Sequence, residues 1–189
     1  AQADSYDEHG YCIVENAIEA DELARLVAEI DPFEEKTEAF LATQVDGRAF
    51  INRAGEITFS AHLVTRSKRL EEFVASATLR DIAHDVLGED VRLYWDQAVY
   101  KKPGTKSTFP WHQDNGYTYI DPQQYLTCYV ALTDVTPENG CPEIAPGLHR
   151  EGTLAHEFSD LGFRCLPDDF AGVVAPAPAG SIIVFSSLT

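Results

Sequence analysis

Phe109-Pro110-Trp111-His112-Gln113-Asp114 is the stretch on which the reading of this chain turns. Side chains alternate between the two faces of a strand, so His112 and Asp114, two residues apart, project together. An imidazole nitrogen and a carboxylate oxygen are then presented side by side. A second imidazole from elsewhere would complete the two-His, one-carboxylate facial set of mononuclear non-haem iron sites, which leaves coordination positions open. Residue types alone leave another reading standing: a histidine hydrogen-bonded at a strand end, followed by Asp114-Asn115-Gly116 as a polar turn. Phe109 and Trp111 flank the pair with aromatic surface suited to the wall of a dry pocket. Gln97, on an earlier strand, can point into the same cavity.

Outward from this run the chain reads as strands. Val91, Leu93, Trp95, Gln97 and Val99 share one face of a strand, and Lys102-Pro103-Gly104-Thr105 breaks it. Phe109 to Asp114, Tyr125 to Leu132, Cys141 to Ala145 and Ser181 to Ser186 follow as candidates, with Glu138-Asn139-Gly140 as a turn between two of them. Before residue 91 the period is helical. Leu23, Leu26, Val27 and Ile30 line one helix face, with a stop expected at Asp31-Pro32. Ser67 caps a helix carrying Leu70, Phe73 and Val74. Ser76 caps another carrying Leu79, Ile82, Val86 and Leu87, closed by Gly88. Tyr11-Cys12-Ile13-Val14 is a short strand, and residues 34–65 read as loops and short strands. Helices first and strands afterwards predict an α+β chain whose second half is a β-sandwich or barrel.

With 189 residues a single domain with one well-buried core is expected. The 31 acidic residues against 14 basic leave a net charge of −17, which repels nucleic acid and anionic membrane surfaces. The four cysteines, Cys12, Cys128, Cys141 and Cys165, form no C-x-x-C pair, and no apolar run is long enough to span a bilayer. A reduced, cytoplasmic protein is expected. The absence of Met suggests a chain trimmed at its start.

The motifs taken in order resemble the phytanoyl-CoA dioxygenase family. The resemblance rests on Phe109 to Asp114, Leu126-Thr127-Cys128-Tyr129-Val130-Ala131-Leu132, Pro137-Glu138-Asn139-Gly140-Cys141, Pro146-Gly147-Leu148-His149, and Ala179-Gly180-Ser181 through Thr189. Tyr6-Asp7-Glu8-His9-Gly10-Tyr11 is similar to the family's usual start. It implies a double-stranded β-helix (jelly-roll) core over about 91–189, with N-terminal helices from about 1–90 packed on it, as one oxygenase domain. It also implies Fe(II) as cofactor, 2-oxoglutarate and O2 as cosubstrates, and hydroxylation of a small-molecule substrate. By this resemblance His112 and Asp114 are iron ligands. Gln97, Phe109, Tyr129 and, more loosely, His62 line the 2-oxoglutarate site. Halogenases of this general type replace the carboxylate with a small residue, so Asp114 points to hydroxylation.

The family pattern continues from a strand like Gly180 to Ser186 into a distal His ligand and then an Arg that clamps the cosubstrate carboxylate. Both are expected just past Thr189. His149 and His156 are candidate substitutes, each with a loop histidine as the plainer reading. Lys101 and Lys102 either attract an anionic substrate or solubilise a strand end. Two rival functions remain: a non-catalytic jelly-roll module that binds 2-oxoglutarate or metal, and a cupin-like metalloenzyme with a different third ligand. Substrate choice is expected to lie with residues 34–65 and 115–125.

Overall fold

The computed structural model describes residues 2–105, 108–118, 120–123 and 125–189. Within the 115–125 loop, Tyr119 and Gln124 lie outside the described residues. In chain order the elements are α1 (Gln2–His9), β1 (Tyr11–Val14), α2 (Ala20–Leu41), β2 (Arg48–Ala49), β3 (Asn52–Arg53) and β4 (Ile57–Ala61). Then come α3 (Lys68–Val74), α4 (Ala77–Leu87), β5 (Gln97–Lys101), β6 (Leu126–Val130) and β7 (Glu143–Ile144). The last are β8 (Glu157–Ser159), β9 (Gly162–Arg164), β10 (Val173–Val174) and β11 (Ile182–Ser186). The content is mixed helix and strand.

Strand β11 organises the molecule. It lies between β1 and β6 in an antiparallel sheet, with Ile183 opposite both Ile13 and Tyr129. Ile182, Ile183 and Val184 are essentially solvent-free. A strand covered on both faces reads as an unbroken apolar run, which is why Ile182-Ile183-Val184-Phe185 shows no alternation. One face, with Ile182 and Val184, joins Cys12, Leu26, Ile30, Leu63 and Leu70 in a core under the helices. The other, with Ile183, meets Ala131, Val135, Cys141, Ile144, Ala175 and Ala177. Each such side chain, fully buried, stabilises the fold by about 1.5–3 kcal/mol.

A second antiparallel sheet runs β2-β3-β4-β5, and β7 with β10 and β8 with β9 form two-stranded ladders. Strands therefore populate the first ninety residues as well, and β1 pairs with β11. β1 lies where Tyr11 to Val14 read as a strand, and β2, β3 and β4 fall within the 34–65 stretch that read as loops and short strands.

Helix α2 does not stop at Asp31-Pro32; Pro32 sits inside it. Proline removes one backbone hydrogen bond and crowds the preceding turn, a cost of about 3 kcal/mol. Docking of the second half outweighs it. Leu41 is fully buried, and Glu34 is buried in an ion pair with Lys102 and accepts from the Thr58 hydroxyl at 3.4 Å. The Tyr100 hydroxyl donates to Asp31 at 2.6 Å.

Ser67 caps α3, its hydroxyl accepting from Leu70 N–H at 3.2 Å. Ser76 occupies the equivalent place before α4 without a side-chain cap bond, and Gly88, at φ +90°, ends that helix. The long strand expected from Val91 shrinks to β5, because residues 91–96 have no ladder partner.

Candidate functional site

The segment Phe109 to Gln113 joins no sheet, and Asp114 opens a short 3-10 turn, Asp114–Gly116. The strand expected there is thus absent. The juxtaposition it predicted survives, because alternation follows from extended backbone (Gln113 has φ −97°, ψ 139°) and not from the ladder. His112 Nε2 lies 3.6 Å from Asp114 Oδ1, and both side chains are about a quarter exposed, at 27% and 28%.

Each of the two groups is oriented from behind. His112 Nδ1 is 2.8 Å from the carbonyl oxygen of Pro110. That oxygen can only accept, so Nδ1 carries the proton, and in the neutral ring Nε2 keeps its lone pair. Thr127 donates its hydroxyl to Asp114 Oδ2 at 2.6 Å, leaving Oδ1 towards His112. Burial pushes the Asp114 carboxyl up, but His112 in its protonated form and the Thr127 hydroxyl together outweigh it, and the pKa falls below the ordinary value; a metal ion would take the place of the Nε2 proton. In the neutral form of the ring, an ionised hard oxygen stands beside an imidazole lone pair, each group steadied by an outer partner. That donor chemistry suits Fe(II). Among the described residues no group of three His, Cys, Asp or Glu side chains could hold a metal.

The intervening side chains face the other way. Gln113 is completely buried; its Nε2 donates to Gly152 O at 3.0 Å and Leu188 O at 2.7 Å, and its Oε1 accepts from Leu154 N–H at 2.8 Å. Asn115 donates from Nδ2 to Thr153 Oγ1 at 2.6 Å and from its backbone to Ser187 O at 3.0 Å. The motif is therefore pinned both to the 152–156 loop and to the end of β11.

Aromatic rings surround His112. Phe109 and Tyr117 meet it edge-on at centroid distances of 5.0 and 5.3 Å. Phe59 backs Phe109 at 5.7 Å, and Phe163 backs Tyr117 at 5.1 Å. The Tyr117 hydroxyl also accepts from Phe163 N–H at 3.0 Å, tying β9 to the site.

Of the expected cosubstrate residues, Phe109 is thus at the pair. Tyr129 lies two residues along β6 from Thr127, on the same face, and packs against the second core; burial raises its hydroxyl pKa. Gln97 and His62 gather elsewhere, around Trp95. Gln97 is exposed and accepts from Trp95 Nε1 at 3.1 Å, while the His62 ring meets Trp95 edge-on at 4.3 Å. Among the described residues no hydrogen bond or ring contact joins either to His112 or Asp114.

His156 is engaged on both ring nitrogens, Nδ1 at 2.8 Å from Leu154 O and Nε2 accepting from Gln113 N–H at 3.0 Å. His149 packs its ring against Gly10, where any Cβ would collide with it. Lys102 pairs with Glu34 and Glu38, and Lys101 donates to Gly140 O at 2.6 Å. Thr127, Tyr117 and Phe163 were not expected at the site. The period of two from Tyr129 was signal enough for Thr127; nothing local marked Phe163. All four cysteines are free, and among the described residues no helix is long and apolar enough to cross a membrane.

Comparison with known proteins puts names beside this geometry. The sequence profile described as phytanoyl-CoA dioxygenase (PhyH) matches residues 6–189. Methylphosphonate hydroxylase of Gimesia maris is 30% identical over 119 residues, covering 62% of this chain and 45% of its own length. Ectoine dioxygenase of Sphingopyxis alaskensis is 30% identical over 212 residues, covering 97% of this chain and 66% of its own. The chain thus spans between 45% and 66% of these curated relatives. Among solved structures, EctD from S. alaskensis with 2-oxoglutarate and 5-hydroxyectoine superposes with a TM-score of 0.69 at 25% identity, over 99% of this chain and 67% of that one. EvdO2 from Micromonospora carbonacea var. aurantiaca, complexed with 2-oxoglutarate, gives 0.71 at 23%, over 99% and 80%. With a family match that runs through nearly every residue, the chain belongs to the phytanoyl-CoA dioxygenase family.

Proposed function

We propose that this chain is the iron- and 2-oxoglutarate-binding domain of a dioxygenase that hydroxylates a small organic substrate. His112 and Asp114 act as iron ligands, and a second imidazole would complete the set. The observation that carries the reading is the His112–Asp114 pair itself, 3.6 Å apart, with Pro110 and Thr127 fixing which atoms face each other. The names of the relatives, an ectoine dioxygenase and a methylphosphonate hydroxylase, and the 2-oxoglutarate in the EctD and EvdO2 structures support it. A double-stranded β-helix core over one domain, 1–189, fits the sheet β1-β11-β6, which joins the two ends of the chain.

Bound Fe(II), with 2-oxoglutarate and O2, supplies the oxidising chemistry. The residues of the chain supply its setting. His112 presents Nε2 with its lone pair free, and Asp114 contributes one negative charge and a hard oxygen. Thr127 keeps the carboxylate from rotating. Phe109 and Tyr117 cover the imidazole with apolar edges and exclude water from one side, which strengthens the electrostatics of the pair. Tyr129, further along the face that carries Thr127, would line the 2-oxoglutarate site. Gln97 and His62 form an outer group around Trp95. The net charge of −17 argues against nucleic acid as a partner.

A non-catalytic module that binds metal or 2-oxoglutarate is the second reading, favoured by the two-donor site among the described residues. Iron-dependent release of succinate and CO2 from 2-oxoglutarate by the full-length protein separates the two. Turnover supports the dioxygenase, whereas saturable 2-oxoglutarate binding without succinate establishes the module.

A further inference from the structure

Three hydrogen bonds close a ring behind the ligand pair. Gln113 N–H donates to His156 Nε2 at 3.0 Å, His156 Nδ1 pairs with Leu154 O at 2.8 Å, and Leu154 N–H donates to Gln113 Oε1 at 2.8 Å. Each member determines the next. A backbone N–H can only donate, so Nε2 of His156 must be unprotonated, so Nδ1 carries the proton that the Leu154 carbonyl accepts. The circuit is satisfied at every atom and involves nothing outside residues 113 and 154–156.

Its place matters because of what flanks Gln113. The peptide whose N–H is held is the one joining His112 to Gln113, and its plane sets the direction in which the His112 side chain leaves the backbone. The Gln113 carboxamide, held at three points, fixes the other side of the same residue and hence the approach to Asp114. Gly116 completes the arrangement. Its φ is not positive, so no backbone strain calls for glycine; the reason is space, since a Cβ there would overlap the His156 imidazole.

From this geometry we infer that His156 is a positioning residue for the His112–Asp114 pair, acting through the Gln113 backbone, and that Gly116 is kept without a side chain to admit its ring. The inference rests on the ligand reading above. His156 touches no metal and no substrate; its function is to hold the two donors at their separation, so that binding a metal ion does not require them to be ordered first.

Four substitutions test it in the full-length protein, read by Mn(II) titration and by thermal unfolding of the metal-free form. His156→Leu removes both bonds and should weaken Mn(II) binding about tenfold to hundredfold, the range for loss of an outer-sphere partner. His156→Gln places a carboxamide oxygen where Nε2 was and restores the acceptor for Gln113 N–H, so Mn(II) affinity should return to within a few-fold of wild type. His156→Asn reaches only as far as Nδ1 and restores the bond to Leu154 alone, so it should bind Mn(II) as poorly as the Leu variant while unfolding near the Gln variant. That split between affinity and stability is one a purely structural histidine does not produce. Gly116→Ala, which leaves His156 in the sequence but displaces its ring, should reproduce the affinity loss. Equal Mn(II) affinity in wild type, His156→Leu and His156→Asn overturns the positioning role while leaving the ligand pair intact. A wild-type protein that takes up no Mn(II) overturns the ligand pair, and the positioning role with it. Should His156→Leu fail to fold, the Gln against Asn comparison and Gly116→Ala still decide, since equal affinity across them refutes the inference.

Discussion

Residues 110–114 and 154–156 use one device twice, to opposite ends. In each, a histidine sets its Nδ1 2.8 Å from the carbonyl oxygen two residues earlier, Pro110 in one case and Leu154 in the other. The rings are therefore held in the same tautomer, with Nε2 presented forward. What differs is what Nε2 meets. At His156 it meets a backbone N–H and its lone pair is consumed. At His112 it meets a carboxylate oxygen at 3.6 Å, with no N–H donor in between, and its lone pair remains available. A histidine's role is thus decided by the second nitrogen, and the first only fixes the question being asked.

The sharpest way to break the comparison is Asp114→Ala. It removes the carboxylate that distinguishes the two surroundings, and turnover should fall by more than about a hundredfold, beyond what loss of an outer partner causes. Succinate release measures it, and normal release would refute the assignment of His112 and Asp114. Stability should change little, since both side chains are part-exposed. Gln113→Leu attacks the other side. It strands the Leu154 N–H and two carbonyls in a buried position and should cost about 2–3 kcal/mol in urea unfolding. A cost near zero would mean that solvent reaches those groups.

Thr127→Val sharpens the contrast more gently. It removes the hydroxyl that orders the carboxylate and should weaken metal binding about tenfold. The Asp114 pKa, lowered in the native site, should rise in this variant. A protonated carboxyl cannot bind metal, so affinity falls as pH drops through that pKa, and in Thr127→Val the fall should begin at higher pH. An identical pH profile in the two proteins would remove Thr127 from the site. Tyr117→Phe has the smallest effect: the ring beside His112 stays and one acceptor for Phe163 N–H is lost, for about 1 kcal/mol. A large loss of metal affinity in that variant would give the hydroxyl a role the structure does not show.

The His112–Asp114 pair was legible in the sequence because a spacing of two needs only extended backbone. Ile182 to Phe185 was legible because burial on both faces leaves an apolar run, and Ser67 and Gly88 because capping is local chemistry. The misreadings share the opposite property. Pro32 looked like a stop because the contacts that hold the following turns, Glu34 with Lys102 and Asp31 with Tyr100, come from distant β5 and its edge. Residues 91–96 alternate like a strand, but no neighbour offers them a ladder. Gln97 and His62, which the family resemblance put at the cosubstrate, are held together around Trp95 by the strand pairing of Ala61 with Gln97. His156 was legible as a satisfied loop histidine, but its partner, the Gln113 N–H, was not, since it lies far away in the chain.

The central position of β11 also sets the order of events when the chain folds. Tyr11 pairs with Phe185, and Gln113 holds the carbonyl of Leu188, so the sheet and the support of the ligand pair both close across long stretches of chain. Contacts of such wide sequence separation form late and slowly, because the entropy of closing large loops must be overcome before any of them stabilises the chain. During refolding, the helices and the β3–β4 hairpin can assemble early, while His112 and Asp114 stay unorganised until β11 is in place. Metal uptake in a refolding experiment should therefore follow the slowest folding phase, and the ion reports a finished fold instead of nucleating one.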